Sequence, residues 1–225
     1  MSTRISARRI GVEQQPIAIV DGFHPDPDSL RDIAVTAAFE PGRHHYPGLR
    51  APLPASYFAQ VRPALTVVLR EVFGAGGGIA LIDASFAIVT TSADALSLPQ
   101  RVPHVDALDA DRIALVHYLS PAGGDGTAFY RHRSTGFETI DASRGPHYGE
   151  RLAREMAATP PAQAYIAGDT PLFERIDGVS GEYNRAIVYR SAMLHSGAIA
   201  PDTVLSADPA QGRLTVTAFL QLVTS

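Results

Sequence analysis

The sequence contains no cysteine and no long uninterrupted run of apolar residues. Without cysteine the protein cannot form disulfides, use a thiolate nucleophile or bind zinc through sulfur, so any metal ion must bind to His, Asp or Glu. A membrane-spanning helix needs about 18 or more consecutive apolar residues, and Asp83 interrupts the best candidate segment, Ile79–Val89. We therefore expect a soluble protein whose metal ligands, if any, are imidazole and carboxylate groups.

Positive charge is also scarce. Asp and Glu number 23 against 19 Lys and Arg, the formal net charge is −4, and the only basic cluster comprises Arg4, Arg8 and Arg9. This balance argues against nucleic acid as a partner. The opening residues MSTRISARRIG are not followed by the apolar run of a secretory signal. We expect residues 1–12 to be a flexible arm, and the protein to be cytoplasmic with no membrane partner.

The length of 225 residues, 45% hydrophobic and 19% charged, is typical of a single globular domain, and we expect residues 1–225 to form one. In its N-terminal part, 16–75, residues 16–23 predict a strand and the residues that follow predict a helix. Apolar side chains recur at helical spacing over 56–73, which predicts a second helix. The Pro- and Gly-rich segment between the helices, 40–54, predicts an ordered loop.

Residues 78–225 are expected to form the β-rich core of the domain. One predicted helix, at 149–158, interrupts a series of β-leaning runs separated by turn-rich connections. The runs are IALIDASFAIVTT, RIALVHYL, GTAFYRHR, NRAIVYRS and RLTVTAFLQLV. This order predicts a mainly β barrel or sandwich with the N-terminal helices packed on one face.

His104 and Asp106 lie two residues apart, so on a strand their side chains leave the same face and can bind one ion together. A third ligand must come from elsewhere, and His195, in AMLHSG, is the candidate. Two histidines and one carboxylate leave coordination positions open for a co-substrate and O₂, which suits non-haem iron(II) oxygenases. The alternative is that the HxD pattern is accidental in a chain with eight histidines, and that His195 is a hydrogen-bonded core residue.

The surroundings of these residues resemble a known group. PHVDALDADRIALVHYLSPAGGDGTAF contains HxD, a short turn, a strand ending in Tyr-Leu and a GG turn followed by Thr and Phe, and SAMLHSGAIAPDTVLSADPAQGRLTVTAFL contains a distal His and a basic residue. In this order they resemble the iron(II)- and 2-oxoglutarate-dependent oxygenases of the prolyl hydroxylase type. The resemblance implies a double-stranded β-helix, a jelly-roll or cupin-like barrel, in which His104, Asp106 and His195 bind Fe(II), with 2-oxoglutarate and O₂ as co-substrates.

The chain also resembles, over nearly its full length, a family of small bacterial proteins of unassigned function. YPGLRAPLP, TAFYRHRSTGFE and the LHSG and GRLTV segments carry this second resemblance. One departure from the oxygenase pattern is the longer spacing between His195 and Arg213. Segment 198–210 must loop out for the two patterns to match.

The co-substrate needs a cation for its distal carboxylate, and a guanidinium can meet both oxygens. Arg213, at the head of the last strand, occupies the place where the resemblance puts the basic residue. Tyr118 matches a position whose phenol helps to hold that carboxylate in relatives, although a Tyr in a β-run usually packs in the core. Strand alternation puts Thr217 on the same face as Arg213, so it too is expected to line the pocket.

The substrate side is less defined. Tyr130, Arg131 and Arg133, which follow the GG turn, and His45, in the Pro-rich loop, are candidate substrate residues. Arg131 and Arg133 share a strand face and either present two cations to an anionic substrate or form a solvated edge. His117 is expected to be a hydrogen-bonded buried histidine and not a ligand. The Pro-rich loop carries further polar groups to which the sequence assigns no role: His44, Tyr46 and Arg50.

Together these features predict an enzyme that hydroxylates an unactivated C–H bond of a small-molecule, amino-acid or peptidyl substrate, with release of succinate and CO₂. Related halogenases lack the metal-binding carboxylate, so the presence of Asp106 disfavours halogenation. Two alternatives stay open. One is a non-catalytic jelly-roll protein that binds a metal or ligand, and the other is a zinc-dependent hydrolase, for which no paired general base is evident.

Overall fold

A computed structural model describes residues 2–42 and 46–223 of the chain. The helices in these residues are α1 (Pro27–Thr36), α2 (Tyr57–Glu71) and α3 (Gly145–Ala158). The strands are β1 (Arg4–Ile10), β2 (Gln15–Asp21), β3 (Glu40–Pro41), β4 (Gly48–Pro52), β5 (Ile79–Val89), β6 (Arg112–Tyr118), β7 (Gly126–His132), β8 (Phe173–Val179), β9 (Arg185–Arg190), β10 (His195–Ala198) and β11 (Leu214–Leu222). The chain is thus mainly β, as its sequence predicts.

The strands form two antiparallel sheets. The larger has eight strands in the order β1-β2-β9-β6-β11-β5-β4-β3, and the smaller has three in the order β10-β7-β8. β11 lies in the middle of the larger sheet, where Thr217 is opposite Ser85 of β5 and Val116 of β6. The last strand of the chain therefore has both of its edges covered.

The two faces of β11 have different surroundings. On one face, alternate residues of β11 are buried in a hydrophobic core with apolar side chains of α1 and α2: Leu214, Val216, Ala218 and Leu220. Because strand residues alternate, Arg213, Thr215 and Thr217 belong to the opposite face. On that face Phe219 packs against a second core that contains Phe129 of the smaller sheet. The helices brace one face of the larger sheet, and the predicted co-substrate residues lie on the other.

Local sequence signals place the two N-terminal helices. The Asp26 side chain caps α1 by accepting a hydrogen bond from the Ser29 backbone N–H at 3.1 Å, and Pro27 begins the first turn. α2 is followed by Gly74, whose φ of +70° is a conformation that glycine adopts without strain. The predictions of a helix after 16–23 and of a helix over 56–73 are both confirmed.

The prediction of a flexible arm at residues 1–12 is wrong. Residues 4–10 form β1, which pairs with β2 along its whole length and forms one edge of the larger sheet. The turn between them is anchored by the carboxylate of Glu138, which accepts hydrogen bonds from the backbone N–H groups of Val12 and Glu13, both at 3.0 Å. The arginines of this segment also have partners, since Arg8 pairs with Asp177 at 2.8 Å.

The interpretation of 40–54 as a loop is wrong in part, because β4 occupies its second half. β4 pairs with β5, and a Cβ at Gly48 would come within 1.9 Å of the Ile88 carbonyl oxygen, so only glycine allows the two strands to approach this closely. The larger sheet therefore contains strands from both 16–75 and 78–225. β8 and β10 were not predicted, and α3 begins at Gly145 and not at 149.

The smaller sheet is covered on its outer side by α3. A third core joins Ala128 and Tyr130 of β7 to Leu152 of α3, and it also contains Leu194, which precedes β10. The other side of the smaller sheet faces β11, so the space between the sheets is closed on both sides by regular structure. No helix within residues 2–42 and 46–223 has the length and apolar character needed to cross a membrane.

Candidate metal centre

His104 and His195 are brought together by a short antiparallel bridge. The backbone N–H of each donates to the carbonyl of the other, both at 2.9 Å, so the two residues lie directly opposite one another although 91 positions separate them in the chain. Residues opposite one another in such a bridge place their side chains on the same face. The two imidazole rings consequently lie with their centroids 4.4 Å apart.

Asp106 completes the group. Its backbone N–H donates to the Ser191 carbonyl at 2.9 Å, which fixes the chain beyond His104. Its carboxylate lies 3.7 Å from His104 Nε2 and 3.4 Å from His195 Nε2. All three ligand atoms lie within 4.8 Å of one another. Two atoms that each bind the same ion at about 2.1 Å can be no more than about 4.2 Å apart. The 4.8 Å limit is only slightly larger, so a small side-chain rotation would allow all three residues to bind one ion.

The ring of His195 is oriented by its second nitrogen. Nδ1 donates to the Met193 carbonyl at 2.9 Å, so the proton is on Nδ1 and the lone pair of Nε2 points toward Asp106. His195 is buried, and the ring of Tyr189 packs edge-on against it at 4.8 Å. This arrangement holds a neutral imidazole in the state that binds a metal ion.

His104 is the accessible member of the group. Its side chain is 54% exposed, yet the protein atoms around the ring and the neighbouring His195 lower the pKa of His104 to about 4, against the opposing effect of Asp106. His104 is therefore neutral at pH 7. Both histidines present a free lone pair to one carboxylate, which is the donor set of the mononuclear iron oxygenases.

Arg213 and Thr217 lie on the inner face of the larger sheet, the face opposite the helices, and each has a hydrogen-bond donor without a partner among the described residues. Arg213 Nη2 donates to the Gly126 carbonyl at 3.0 Å, but its Nε is buried and has no partner among the described residues. The hydroxyl of Thr217 is likewise buried without a partner in that part of the chain. Two such groups on one strand face suit a polar ligand that the protein itself does not supply.

Two tyrosines connect Arg213 with the metal-binding group. Arg213 lies 5.9 Å from the ring centroid of Tyr118, whose hydroxyl is 2.8 Å from Thr127 Oγ1. Either hydroxyl can be the donor there, so the phenol can still donate elsewhere. Burial raises the pKa of Tyr189 well above its usual value, the Asp106 charge raises it further, and Arg213 acts in the opposite direction. Tyr189 therefore lies within electrostatic range of both Asp106 and Arg213.

The candidate substrate residues after the GG turn are used structurally. Arg131 binds Glu138 at 2.5 Å and Glu174 at 2.9 Å, which argues against its predicted role as a cation for substrate. Arg133 donates to the Thr170 carbonyl at 3.0 Å and pairs with Asp169 at 3.4 Å. Both side chains of this pair are exposed, in agreement with the alternative interpretation of Arg133 as part of a solvated edge. Tyr130 is buried in the third core and donates to the Ile166 carbonyl at 3.3 Å. The side-chain hydrogen bonds and ion pairs given for these three residues involve neither His104, Asp106 nor His195.

His44 and His45 lie outside the described residues. His117 is on the helix-facing side of β6, where its ring nitrogens meet the Tyr57 hydroxyl at 3.2 Å and Asn184 Oδ1 at 3.1 Å. The expectation that it is a hydrogen-bonded buried histidine is confirmed. Tyr46 and Arg50, to which the sequence assigned no role, lie near Arg213. The Arg213 charge acts to lower the pKa of the Tyr46 phenol, and the Arg50 guanidinium lies over the Tyr46 ring. Their Pro-rich surroundings hid the strand that places them.

This geometry agrees with the comparisons with solved structures. The chain superposes on HygX from Streptomyces hygroscopicus, solved with nickel, 2-oxoglutarate and hygromycin B bound, with a TM-score of 0.52 at 12% identity, covering 93% of this chain and 84% of HygX. The iron-bound HygX structure gives a TM-score of 0.52 at 13% identity over 93% and 83% of the two chains. A weaker likeness, with a TM-score of 0.40 at 12% identity over 77% and 66%, is to the Kdo hydroxylase KdoO, a non-haem Fe(II) and 2-oxoglutarate-dependent dioxygenase solved with cobalt(II).

The protein therefore has the fold of HygX, a protein that has been solved with iron and with nickel and 2-oxoglutarate, and the resemblance to such oxygenases is confirmed at the level of fold. By sequence, the chain belongs to the family of unknown function DUF6445, which matches residues 1–220. This confirms the second resemblance, to a family of unassigned function. No curated protein sequence matches the chain.

Proposed function

We propose that this protein is an iron(II)- and 2-oxoglutarate-dependent dioxygenase that hydroxylates a small-molecule, amino-acid or peptidyl substrate and releases succinate and CO₂. The observation that carries the proposal is the meeting of His104, Asp106 and His195, with their ligand atoms within 4.8 Å of one another. The fold that the chain shares with HygX, which binds nickel and 2-oxoglutarate, supports the same chemistry.

The donor set fits iron(II). Two neutral imidazoles and one carboxylate bind a divalent ion from one side and leave the remaining positions open. Bound iron would supply the chemistry that activates O₂, the oxidant, while 2-oxoglutarate and the substrate C–H bond would each give up two electrons. The protein's part is to hold His195 in its metal-binding tautomer through Met193, and to place the Asp106 carboxylate beside both imidazole rings.

Arg213, Thr217 and Tyr118 are proposed to bind the distal carboxylate of 2-oxoglutarate. The Nε of Arg213 and the hydroxyl of Thr217 lack partners among the described residues, and a carboxylate would accept hydrogen bonds from both. The phenol of Tyr118, beside Arg213, provides a third donor if Thr127 donates to it. Burial of these groups excludes water that would weaken the ion pair.

The finer description of the fold is also a proposal. We propose that residues 1–225 act as one domain and that the two sheets are the halves of a double-stranded β-helix. Four neighbouring strands support this arrangement, β9-β6-β11-β5 in the larger sheet, since they face a smaller sheet that ends at the His104–His195 bridge. β1–β4 then extend the larger sheet at its two ends.

Succinate formation tests the proposal. The wild-type protein, incubated with iron(II), ascorbate and 2-oxoglutarate, is expected to produce succinate, and His104→Ala and Asp106→Ala should abolish it. His147→Ala is the matched control, because it removes an exposed imidazole of α3 that lies far from the metal-binding group in sequence. Metal content after dialysis, measured on the same samples, should fall in the two ligand variants only.

The outcome separates the proposal from its alternatives. Metal binding without succinate, across a broad panel of candidate substrates, would favour a non-catalytic binding protein. A zinc-loaded protein that hydrolyses ester or amide substrates would instead favour a hydrolase. Succinate formation that survives in His104→Ala would remove the assigned ligand set.

A further inference from the structure

Tyr46 and Arg50 lie near Arg213 on the inner face of the larger sheet. Arg50 is opposite Ala87 of β5, and Ala87 is in turn opposite Thr215 of β11. Residues that are directly opposite one another across antiparallel strands share a sheet face. Arg50 therefore lies on the same face as Thr215, Thr217 and Arg213, between the two sheets.

The hydroxyl of Tyr46 is buried and has no hydrogen-bond partner among residues 2–42 and 46–223. The guanidinium of Arg50 lies over its ring, 4.7 Å from the centroid. Burial raises the pKa of Tyr46 to about 12, while the charges of Arg213 and Arg50 act in the opposite direction. The phenol is thus a neutral donor that lies within electrostatic range of two cations.

Arg50 keeps donors free in spite of an ion pair. Its one ion-pair partner among the described residues is Asp83, at a long 3.5 Å, and the Asp83 side chain is 60% exposed. Exposed pairs of this kind contribute little to stability, so a ligand can displace Asp83 at little cost. The Nε of Arg50 is buried and has no partner in the described part of the chain.

Arg50 lies on β4 and Arg213 immediately before β11, on the same face of the larger sheet. Arg50 is two strands away from β11, which corresponds to about 10 Å between backbones. If Arg213 holds 2-oxoglutarate, the Nε of Arg50 and the hydroxyl of Tyr46 still lack an acceptor within residues 2–42 and 46–223. A planar guanidinium and a phenol hydroxyl together match the oxygens of a second carboxylate.

We infer that Tyr46 and Arg50 form a subsite that binds an anionic group of the primary substrate, a carboxylate in the first instance. The inference rests on the proposed function, because it assigns Arg213 to the co-substrate. It names the substrate class as a carboxylate-bearing compound. It also replaces Arg131 and Arg133, which bind acidic residues or backbone elsewhere, as the cations that meet the substrate.

Ligand-observed NMR with matched probes tests the subsite. The protein is loaded with Zn(II), which binds the same ligand types without redox chemistry, and with N-oxalylglycine, an analogue that occupies the 2-oxoglutarate site. Benzoate, benzamide and phenyl phosphate are then titrated separately, with and without N-oxalylglycine. Benzoate should bind in both conditions and benzamide should not, and tighter binding of phenyl phosphate would identify the substrate's group as a phosphate.

Three variants assign the binding. Arg50→Gln should weaken benzoate about tenfold or more and Tyr46→Phe several-fold, in line with loss of a charged and a neutral hydrogen bond. Neither should change N-oxalylglycine binding. Asp83→Asn is the matched control, because it removes the existing partner of Arg50 and should leave benzoate binding equal or tighter. Circular dichroism confirms that each variant is folded.

The contrary outcomes are distinct. Unchanged benzoate affinity in Arg50→Gln, or loss of N-oxalylglycine together with benzoate, would overturn the subsite while leaving the proposed function in place. If wild-type protein fails to bind N-oxalylglycine but binds benzoate through Arg50 and Tyr46, the proposed function fails and the anion subsite stands.

Discussion

Five of the eight buried side-chain polar atoms that lack partners among the described residues lie on or beside the inner face of the larger sheet. They belong to Arg50, Ser85, Arg213 and Thr217, with the hydroxyl of Tyr46 beside them. An unsatisfied buried donor or acceptor costs about 1–3 kcal/mol, so a set of five is expensive unless a ligand or water pairs with it. At the scale of single residues, this unpaired set is where the proposed co-substrate and substrate would bind.

Two threonines of β11 provide a matched test of that cost. Thr215 donates to the Ala87 carbonyl at 3.3 Å, whereas the hydroxyl of Thr217 has no such partner. Thr217→Val should leave the ligand-free protein equally stable or more stable, and Thr215→Val should cost about 1 kcal/mol. Urea unfolding measures both changes.

The same pair separates structure from binding. Thr217→Val should weaken N-oxalylglycine binding several-fold, and Thr215→Val should affect it less. Destabilisation of the ligand-free protein by Thr217→Val would show that the hydroxyl has a structural partner, and so contradict its assignment to the pocket.

At the scale of elements, the β1–β2 hairpin is held in place by a buried carboxylate. Glu138 is 2% exposed, receives two backbone N–H groups from the hairpin turn and pairs with Arg131. Gly11 begins that turn at φ +66°, and a Cβ there would lie 2.0 Å from Glu138 Oε2. The hairpin edge of the larger sheet thus depends on one glycine and one ion pair.

Gly11→Ala should therefore reduce the free energy of unfolding far more than the same substitution at a glycine whose Cβ position has no neighbouring atoms. Gly74 has a similar φ of +70°, but nothing lies within 4 Å of its Cβ position. Gly74→Ala should cost about 1 kcal/mol from backbone strain alone, and Gly11→Ala about 3 kcal/mol or more because it also displaces the buried Glu138. Thermal unfolding compares them, and equal losses would mean that the Glu138 contact is unimportant.

At the scale of the whole molecule, a buried polar network joins the helices to the larger sheet. His117 of β6 donates from Nε2 to Asn184 Oδ1 and accepts from Tyr57 of α2 at Nδ1, while Asn184 also binds the backbone of His24. Burial lowers the pKa of His117 from 6.5 to about 3, against the opposing effect of the hydrogen bond that it donates to Asn184. The network therefore requires a neutral imidazole.

This network predicts acid sensitivity. A histidine with a lowered folded-state pKa contributes stability above about pH 6.5, and that stability is lost as the pH falls toward about 3, by at most about 1.4 kcal/mol per unit. His117→Gln keeps a donor and an acceptor but cannot titrate, so its stability should fall less steeply between pH 6.5 and 4. Parallel slopes for the two proteins in urea unfolding would contradict a buried neutral His117.

Metal binding should stabilise the whole fold, because its ligands come from segments 91 residues apart. At about one hundred times its dissociation constant, Ni(II) or Zn(II) should add about 2.7 kcal/mol. Thermal unfolding should show this as a higher Tm for the wild type and for His147→Ala, reversed by a chelator. His104→Ala and Asp106→Ala should show no rise, and a rise in either would point to a different site.

Much of this protein can be predicted from local sequence patterns. The alternation of RLTVTAFLQLV predicts both the strand β11 and its two faces, and capping residues predict α1 and the end of α2. β10 could not be predicted in this way, because HSGA has neither length nor alternation and is a strand only through its partner β7. β1, with its three arginines, could not be predicted for a similar reason. Arg4 and Arg8 pair with Asp21 and Asp177, which are distant in sequence.

The sequence by itself determined the ligand types, the HxD spacing and which residues of β11 share a face, because these depend on neighbours along the chain. Only the tertiary structure decided which histidine meets His104, since the bridge to His195 is a long-range pairing. It also decided that Arg131 is neutralised by Glu138, and that Tyr46 and Arg50 lie beside Arg213. Strand register and burial are set by packing of the whole chain, and no local pattern encodes them.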